Sequence, residues 1–158
     1  MFSVQLTDSE LAVCQMIGNM RHIACRSNFV TDTQVGKQGK FDIDQDGVIG
    51  EYAFCKYHNI FMSVDLSIRS GSFDCMIRGK RIDVKTTRVK NGRLIKTLKE
   101  NQDVDIYVLA ILDGNTVTFP GWIEKENFTK PENISDLGHG KTYVLTQDQL
   151  KSWEKTNG

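Results

Sequence analysis

Asp74 and the tripeptide Asp83-Val84-Lys85 are the residues of this chain best equipped to do chemistry. They fall in two segments of strand character, SFDCMI and RIDVKTT, and the Gly79-Lys80 pair between them suits a two-residue type II′ hairpin turn. With that turn Met76 stands opposite Asp83, and Asp74 stands opposite Lys85. Side chains alternate along a strand, so Asp74, Met76, Asp83 and Lys85 share one face of the sheet. Cys75, Ile77, Ile82 and Val84 share the other face, which reads as buried. Two carboxylates beside an ammonium can be a plain cross-strand ion pair, worth a fraction of a kcal/mol on an exposed sheet. They can also hold a hard, oxygen-seeking ion such as Mg²⁺ or Mn²⁺, which uses one or two carboxylates and keeps several waters. A register slip of one residue would separate the two acids.

A second acidic stretch, FDIDQDGVIGEY at residues 41–52, starts like a calcium-binding EF-hand loop. Asp42, Asp44, Asp46, Gly47 and Ile49 match, but the twelfth position, where a bidentate Glu is required, is Ala53. The stretch therefore reads as a solvated acidic turn ending at a helix start, with a calcium-stabilised interaction domain as a lesser reading. Glu51 is left without a role by either.

The elements that must position these residues follow from periodicity. Leu11, Met16, Ile17, Met20 and Ile23 recur at helical spacing and predict a helix over about 8–26 with that stripe in the core. A polar connection runs to about Gly50, where GEYAFCKYHNIF starts a second helix, with Glu51 in its first turn. Strands are expected at FMSVDLSI, SFDCMI, RIDVKTT, DIYVLAIL, NTVTFPGWI and KTYVL; DIYVLAIL is central because its apolar run is continuous. The stretch from Leu94 to Asn101 is ambiguous between helix and strand. TQDQLKSWE reads as a last short helix capped by Thr146. His58 sits at a helix end, His139 in a turn, and Trp122 under a loop.

The chain has 158 residues and no formal net charge, which suits one domain, 1–158, with an ordinary core. Cys14, Cys25, Cys55 and Cys75 are dispersed, as are the three histidines, so reduced thiols are expected and a zinc site is not. No apolar run is long enough to cross a bilayer and the N-terminus does not resemble a leader, so a cytoplasmic protein is expected. Charge is segregated: of 20 Lys and Arg, nine lie between Arg78 and Lys99 with Asp83 as the single acid among them. Such a run is either a solvated face or a surface that meets phosphates.

Asp74 followed by Asp83-Val84-Lys85 resembles the D…(D/E)xK signature of the PD-(D/E)XK nuclease superfamily, with Phe73 in place of the proline that often precedes the first acid. GEYAFCKY resembles the superfamily's upstream helix, with Glu51 as its acid. The likeness spans about residues 50–112, and the small size is similar to phage-encoded members, which would act in the host cytoplasm. It implies an α/β (α+β) fold of restriction-endonuclease type: a helix, three strands, a helix and a further strand, in a mixed sheet flanked by helices. It further implies Mg²⁺- or Mn²⁺-dependent hydrolysis of DNA, with endonuclease action favoured over exonuclease. Asp74, Asp83 and the Val84 carbonyl would be metal ligands, Glu51 would complete the shell or hold a second ion, and Lys85 would orient water or offset developing charge. Arg78, Lys80, Arg81, Thr86, Arg88, Lys90 and Arg93 would bind the nucleic-acid backbone. A homodimer is compatible, since one such site cuts one strand. A noncatalytic nucleic-acid- or protein-binding module retaining the fold is the competing reading.

Overall fold

The computed structural model describes residues 1–27, 40–65, 73–99 and 103–153. Its centre is β5 (Ile106–Asp113), the run of apolar residues expected there, with side chains buried on both faces of the sheet. A turn with Gly114 at φ +59° returns the chain into β6 (Thr116–Glu124), antiparallel to β5. The register between them slips by one residue near Leu109 and Ile111, beside Pro120, whose missing N–H suits a bulge. On the far side of β6 lies an N-terminal strand that periodicity did not reveal, β1 (Phe2–Gln5). On the other side of β5 comes β3 (Lys80–Thr87), parallel to it, and then β2 (Cys75–Ile77), antiparallel to β3. Among the described residues these strands make a mixed sheet in the order β1-β6-β5-β3-β2.

Each face of the sheet carries its own core. Two helices, α1 (Asp8–Ser27) and α2 (Lys40–Tyr57), belong to the face of Ile82, Val84, Val108 and Ala110, where Phe54 and Phe119 fill the interior. The opposite face, with Tyr107, Leu109 and Ile111, meets a smaller sheet of β4 (Leu94–Thr97), β7 (Ile134–Asp136) and β8 (Lys141–Leu145), together with the short helix α3 (Lys125–Phe128). The architecture is thus mixed α+β. The crossover from β3 to β5 departs from the expected pattern: among its described residues it contains β4 and no helix. The β-branched residues of LIKT pair with β8 there, and buried Lys96 donates to the carbonyls of Thr97 at 3.0 Å and Lys99.

The helices differ from expectation in two ways. α2 begins at Lys40, ten residues early, so the acidic stretch is helical and forms neither a turn nor an ion-binding loop. Asp42 and Asp46, four residues apart, share one face of α2. Asp42 lies in the first turn, where the helix dipole favours it, and Asp46 is only 2% exposed, held by Arg88 Nε and Nη2 at 2.7 Å each. The side chain of Asp44 lies outside the described residues. On α1 the packed face carries Leu11, Cys14, Ile17 and Gly18, while Val13, Met16, Met20 and Ile23 face outward, Met16 at 60% and Ile23 at 62% exposure. Gly18 explains the choice: a Cβ there would fall 2.9 Å from the Gln45 backbone, so the helices touch along that side.

The remaining differences are smaller. Residues 61–65 form no strand, and the rest of FMSVDLSI lies outside the described residues. The expected last helix is a single 3₁₀ turn, Gln147–Gln149, where the Thr146 N–H donates to Gln149 Oε1 at 2.9 Å. Cys14, Cys55 and Cys75 are buried free thiols. Among the described residues no helix is long and apolar enough to cross a membrane.

Arg88→Ala strips a buried carboxylate of its bidentate partner and should cost about 2 kcal/mol. Lys90→Ala, on the exposed surface two residues on, should stay within about 0.5 kcal/mol. Urea unfolding of both variants tests the difference, and equal stability would show that the Arg88–Asp46 pair does not hold α2 to β3.

Candidate active site

The hairpin that carries the acids turns one step earlier than expected. Ile77 pairs with Lys80, Met76 with Arg81 and Cys75 with Ile82, so the loop is Arg78-Gly79 and not Gly79-Lys80. Both loop residues have positive φ, +48° and +77°, as a type I′ turn requires, in place of the type II′ turn expected. Arg81 accounts for the choice. Its backbone N–H reaches Asp105 Oδ2 at 2.8 Å, and its guanidinium grips the same carboxylate at 3.0 and 2.9 Å, fixing the start of β3 against β5. The correction moves the pairing by two residues, which leaves the face of every side chain unchanged. Lys85 consequently lies beyond β2, whose pairing with β3 reaches only Ile82.

β2 stops at the Cys75–Ile82 pair, and among the described residues no strand continues along that edge of β3. The N–H and C=O of one strand residue point to the same side. Arg81 faces β5, so Ile82 and Val84 face the open edge. Asp74 fills it: its N–H donates to the Ile82 carbonyl at 2.8 Å, and its Oδ2 accepts the Val84 N–H at 2.7 Å. The Val84 carbonyl lies on that same side. Phe73, at the place of the signature's proline, packs on the core beneath the small sheet and anchors the approach to Asp74.

Asp83 is 5% exposed and sits beside Tyr107 of β5, with Lys85 Nζ 2.8 Å from its Oδ1. Among the described residues that oxygen has no aligned hydrogen-bond donor, and the Tyr107 hydroxyl and Thr86 Oγ1 are buried without partners. Glu51 comes from α2, one residue after Gly50. A Cβ on Gly50 would lie 2.0 Å from Thr86 Oγ1, so glycine is what lets the helix lie against β3 at this point. Glu51 Oε2 accepts from Arg21 Nη1 at 2.8 Å, and Arg21 Nη2 donates to the Ser63 carbonyl at 3.1 Å.

The four ionisable groups feel one another. Burial pushes the Glu51 carboxyl above the ordinary range, Arg21 working against the rise. Burial pushes Asp74 well above its usual 3.8, and the charges of Glu51 and Asp83 add to it. For Lys85, burial alone would lower the ammonium, but Asp83, Asp74 and Glu51 together hold it above the usual lysine value. Among the described residues no three His, Cys, Asp or Glu side chains converge closely enough to hold a metal ion. Asp74, Asp83 and the Val84 carbonyl are a donor set of the hard-oxygen type, and Asp83 Oδ1 already faces one cation, the Lys85 ammonium. That set fits Mg²⁺ or Mn²⁺, which use one or two carboxylates, waters and substrate phosphate. Glu51 is engaged by Arg21.

The basic run divides. Arg81 and Arg88 are held in internal ion pairs, and Lys96 is buried. Arg78 and Lys80 are exposed at the hairpin tip, Lys90 and Arg93 are exposed beyond the opposite end of β3, and Thr86 is half-buried. His58 follows α2 within the aromatic group of Phe2, Phe54, Tyr57 and Trp153, and burial lowers its pKa, so it stands there as a neutral ring. Trp122 packs in β6 under Lys151. Arg21 and Tyr107 carry no signal in the motif; only the tertiary contacts reveal them.

The chain belongs to DUF5843, a family of unknown function, whose profile matches residues 3–116 and so takes in Arg21, Glu51, Asp74, Asp83 and Lys85. No curated protein and no solved structure matches it significantly.

Two outcomes follow from this geometry. Alanine at a helical glycine normally stabilises, by up to about 1 kcal/mol. Gly50→Ala should instead lower the melting temperature, and Thr86→Ala in the same chain should restore it; a stabilised single variant would refute the close contact. Asp74, raised in the folded state, favours folding only while protonated, so its contribution is lost as pH rises from about 3.8 through the folded value. Asp74→Asn keeps an acceptor for Val84 and removes the charge. In the metal-free protein it should melt a few degrees higher at neutral pH, about 1 kcal/mol, with the gain fading toward acid.

Proposed function

We propose that this protein is a Mg²⁺- or Mn²⁺-dependent nuclease that hydrolyses DNA phosphodiester bonds, an endonuclease of the PD-(D/E)XK type. The observation that carries the reading is the Lys85 ammonium 2.8 Å from buried Asp83, next to Asp74 on the open edge of β3. A structural ion pair needs no second acid at that edge, and a hydrolytic site does. Asp74, Asp83 and the Val84 carbonyl would hold the ion, and Glu51 bears on the same site from α2. The ion, when bound, lowers the pKa of water and stabilises charge on the phosphoryl oxygens. Lys85, charged at neutral pH, orients the attacking water and offsets the charge that develops on the phosphate. Arg78 and Lys80 at one end of β3, and Lys90 and Arg93 past the other, lie roughly 25 Å apart along eight residues of strand. They are placed to meet backbone phosphates on both sides of the bond to be cut.

A second reading, a noncatalytic nucleic-acid-binding module, is favoured by the absence of a three-acid cluster among the described residues. Supercoiled plasmid and short duplex, single-stranded and branched DNA, each with Mg²⁺, Mn²⁺, Ca²⁺ or EDTA, separate the two. Cleavage that requires Mg²⁺ or Mn²⁺ and falls about a hundredfold or more in Lys85→Ala is the expected result. Wild-type rates in Lys85→Ala would remove the assignment, and salt-sensitive binding without cutting on every substrate would establish the module instead.

A further inference from the structure

We infer that Arg21 is a positioning residue of this site, through which α1 controls where the Glu51 carboxylate stands. The inference rests on the nuclease reading and adds a residue outside the stretch that resembles the superfamily. Arg21 joins three segments at once. Its own backbone belongs to α1, Nη1 donates to Glu51 Oε2 on α2 at 2.8 Å, and Nη2 donates to the Ser63 carbonyl, in the connection that leads from α2 toward β2, at 3.1 Å. The guanidinium is planar, so two contacts on separate nitrogens fix its orientation as well as its position.

Among the described residues no other hydrogen bond or ion pair anchors the Glu51 side chain, which is 11% exposed and carries its carboxylate on a flexible two-carbon stem. The backbone beneath it is set by Gly50 lying on Thr86, which brings the residue to β3 but does not aim its side chain. Arg21 supplies the aim. Groups that orient a metal ligand from behind typically change metal affinity tenfold to a hundredfold when removed, which sets the size of the effect. Simple charge repulsion makes the opposite prediction, because deleting a cation near a metal site should tighten binding.

The test is calorimetric titration of Mn²⁺ into the full chain, with cleavage of the best DNA substrate as a second readout. Arg21→Ala should bind Mn²⁺ about tenfold or more weakly while keeping a cooperative thermal transition. Arg21→Lys, which retains a cation beside Glu51 but loses the planar fork that ties it to the Ser63 carbonyl, should recover only part of the affinity. Gln45→Ala removes a different contact between the same two helices, the 2.6 Å hydrogen bond from Gln45 Nε2 to Asn19 Oδ1, and should leave Mn²⁺ affinity within twofold of wild type. Affinity unchanged or tightened in Arg21→Ala overturns the inference while leaving the nuclease reading intact. An equal loss in Gln45→Ala also overturns it, by assigning the effect to helix packing. If the wild type binds no Mn²⁺ and cuts nothing, the nuclease reading fails and this inference falls with it.

Discussion

The early end of β2 is the constraint on which the rest of the site depends. A strand edge inside a folded protein presents N–H and C=O groups that must find partners. β3 is paired with β5 along one side from Ile82 to Thr87, but on the other side its pairing with β2 lasts three residues. Val84 lies past the last β2 pair. Asp74 gives its N–H a partner with one side-chain oxygen, and so is held beside the stretch of β3 that carries Asp83 and Lys85. Carboxylates gathered in this way repel each other, which is why burial and mutual charge raise Asp74 and Glu51. The fold tolerates the cost because the anchors around it are strong: Arg81 on Asp105 fixes the hairpin, and Arg88 on Asp46 fixes the helix.

Those two arginines change the meaning of the basic segment. Read along the chain, nine cations with one acid among them look like a surface for phosphates. In three dimensions the acids that balance Arg81 and Arg88 arrive from far away in sequence, Asp105 from the start of β5 and Asp46 from α2. Charge counted in a sequence window cannot register such partners. Arg88 stays 60% exposed but is tied to Asp46, and the other exposed cations that flank β3, Arg78, Lys80, Lys90 and Arg93, are divided between its two ends.

The legible parts of the structure are those set by local pattern. The apolar run of β5, the alternation in RIDVKTT and the face shared by Asp83 and Lys85 all depend on a period of two, and the face assignment outlived an error of two in register. The turn itself was misplaced because Gly79 fits either of two turn types, and only the Arg81–Asp105 contact chooses. The start of α2 was missed because Asp, Gln and Gly in FDIDQDG have low helical preference, which burial of Val48 and the Asp46 ion pair override. The outward stripe on α1 reads like a core face, since a helix with apolar residues on two sides has no period that says which one packs. β1 is four residues long and defined by its neighbour, so nothing local marks it.

β1 pairs with β6, and the hydroxyls of Ser3 and Thr118 meet across 115 residues of chain at 2.8 Å. During synthesis, Glu51, Asp74, Asp83 and Lys85 all emerge before β5, the strand that supports β3, and before β6, which seats the first residues of the chain. The helical pair α1–α2 can form early, but the sheet cannot close until β6, which ends at Glu124, has left the ribosome. The carboxylates of α2 and of the β2–β3 hairpin are thus fixed against one another only after the two strands that follow them have arrived.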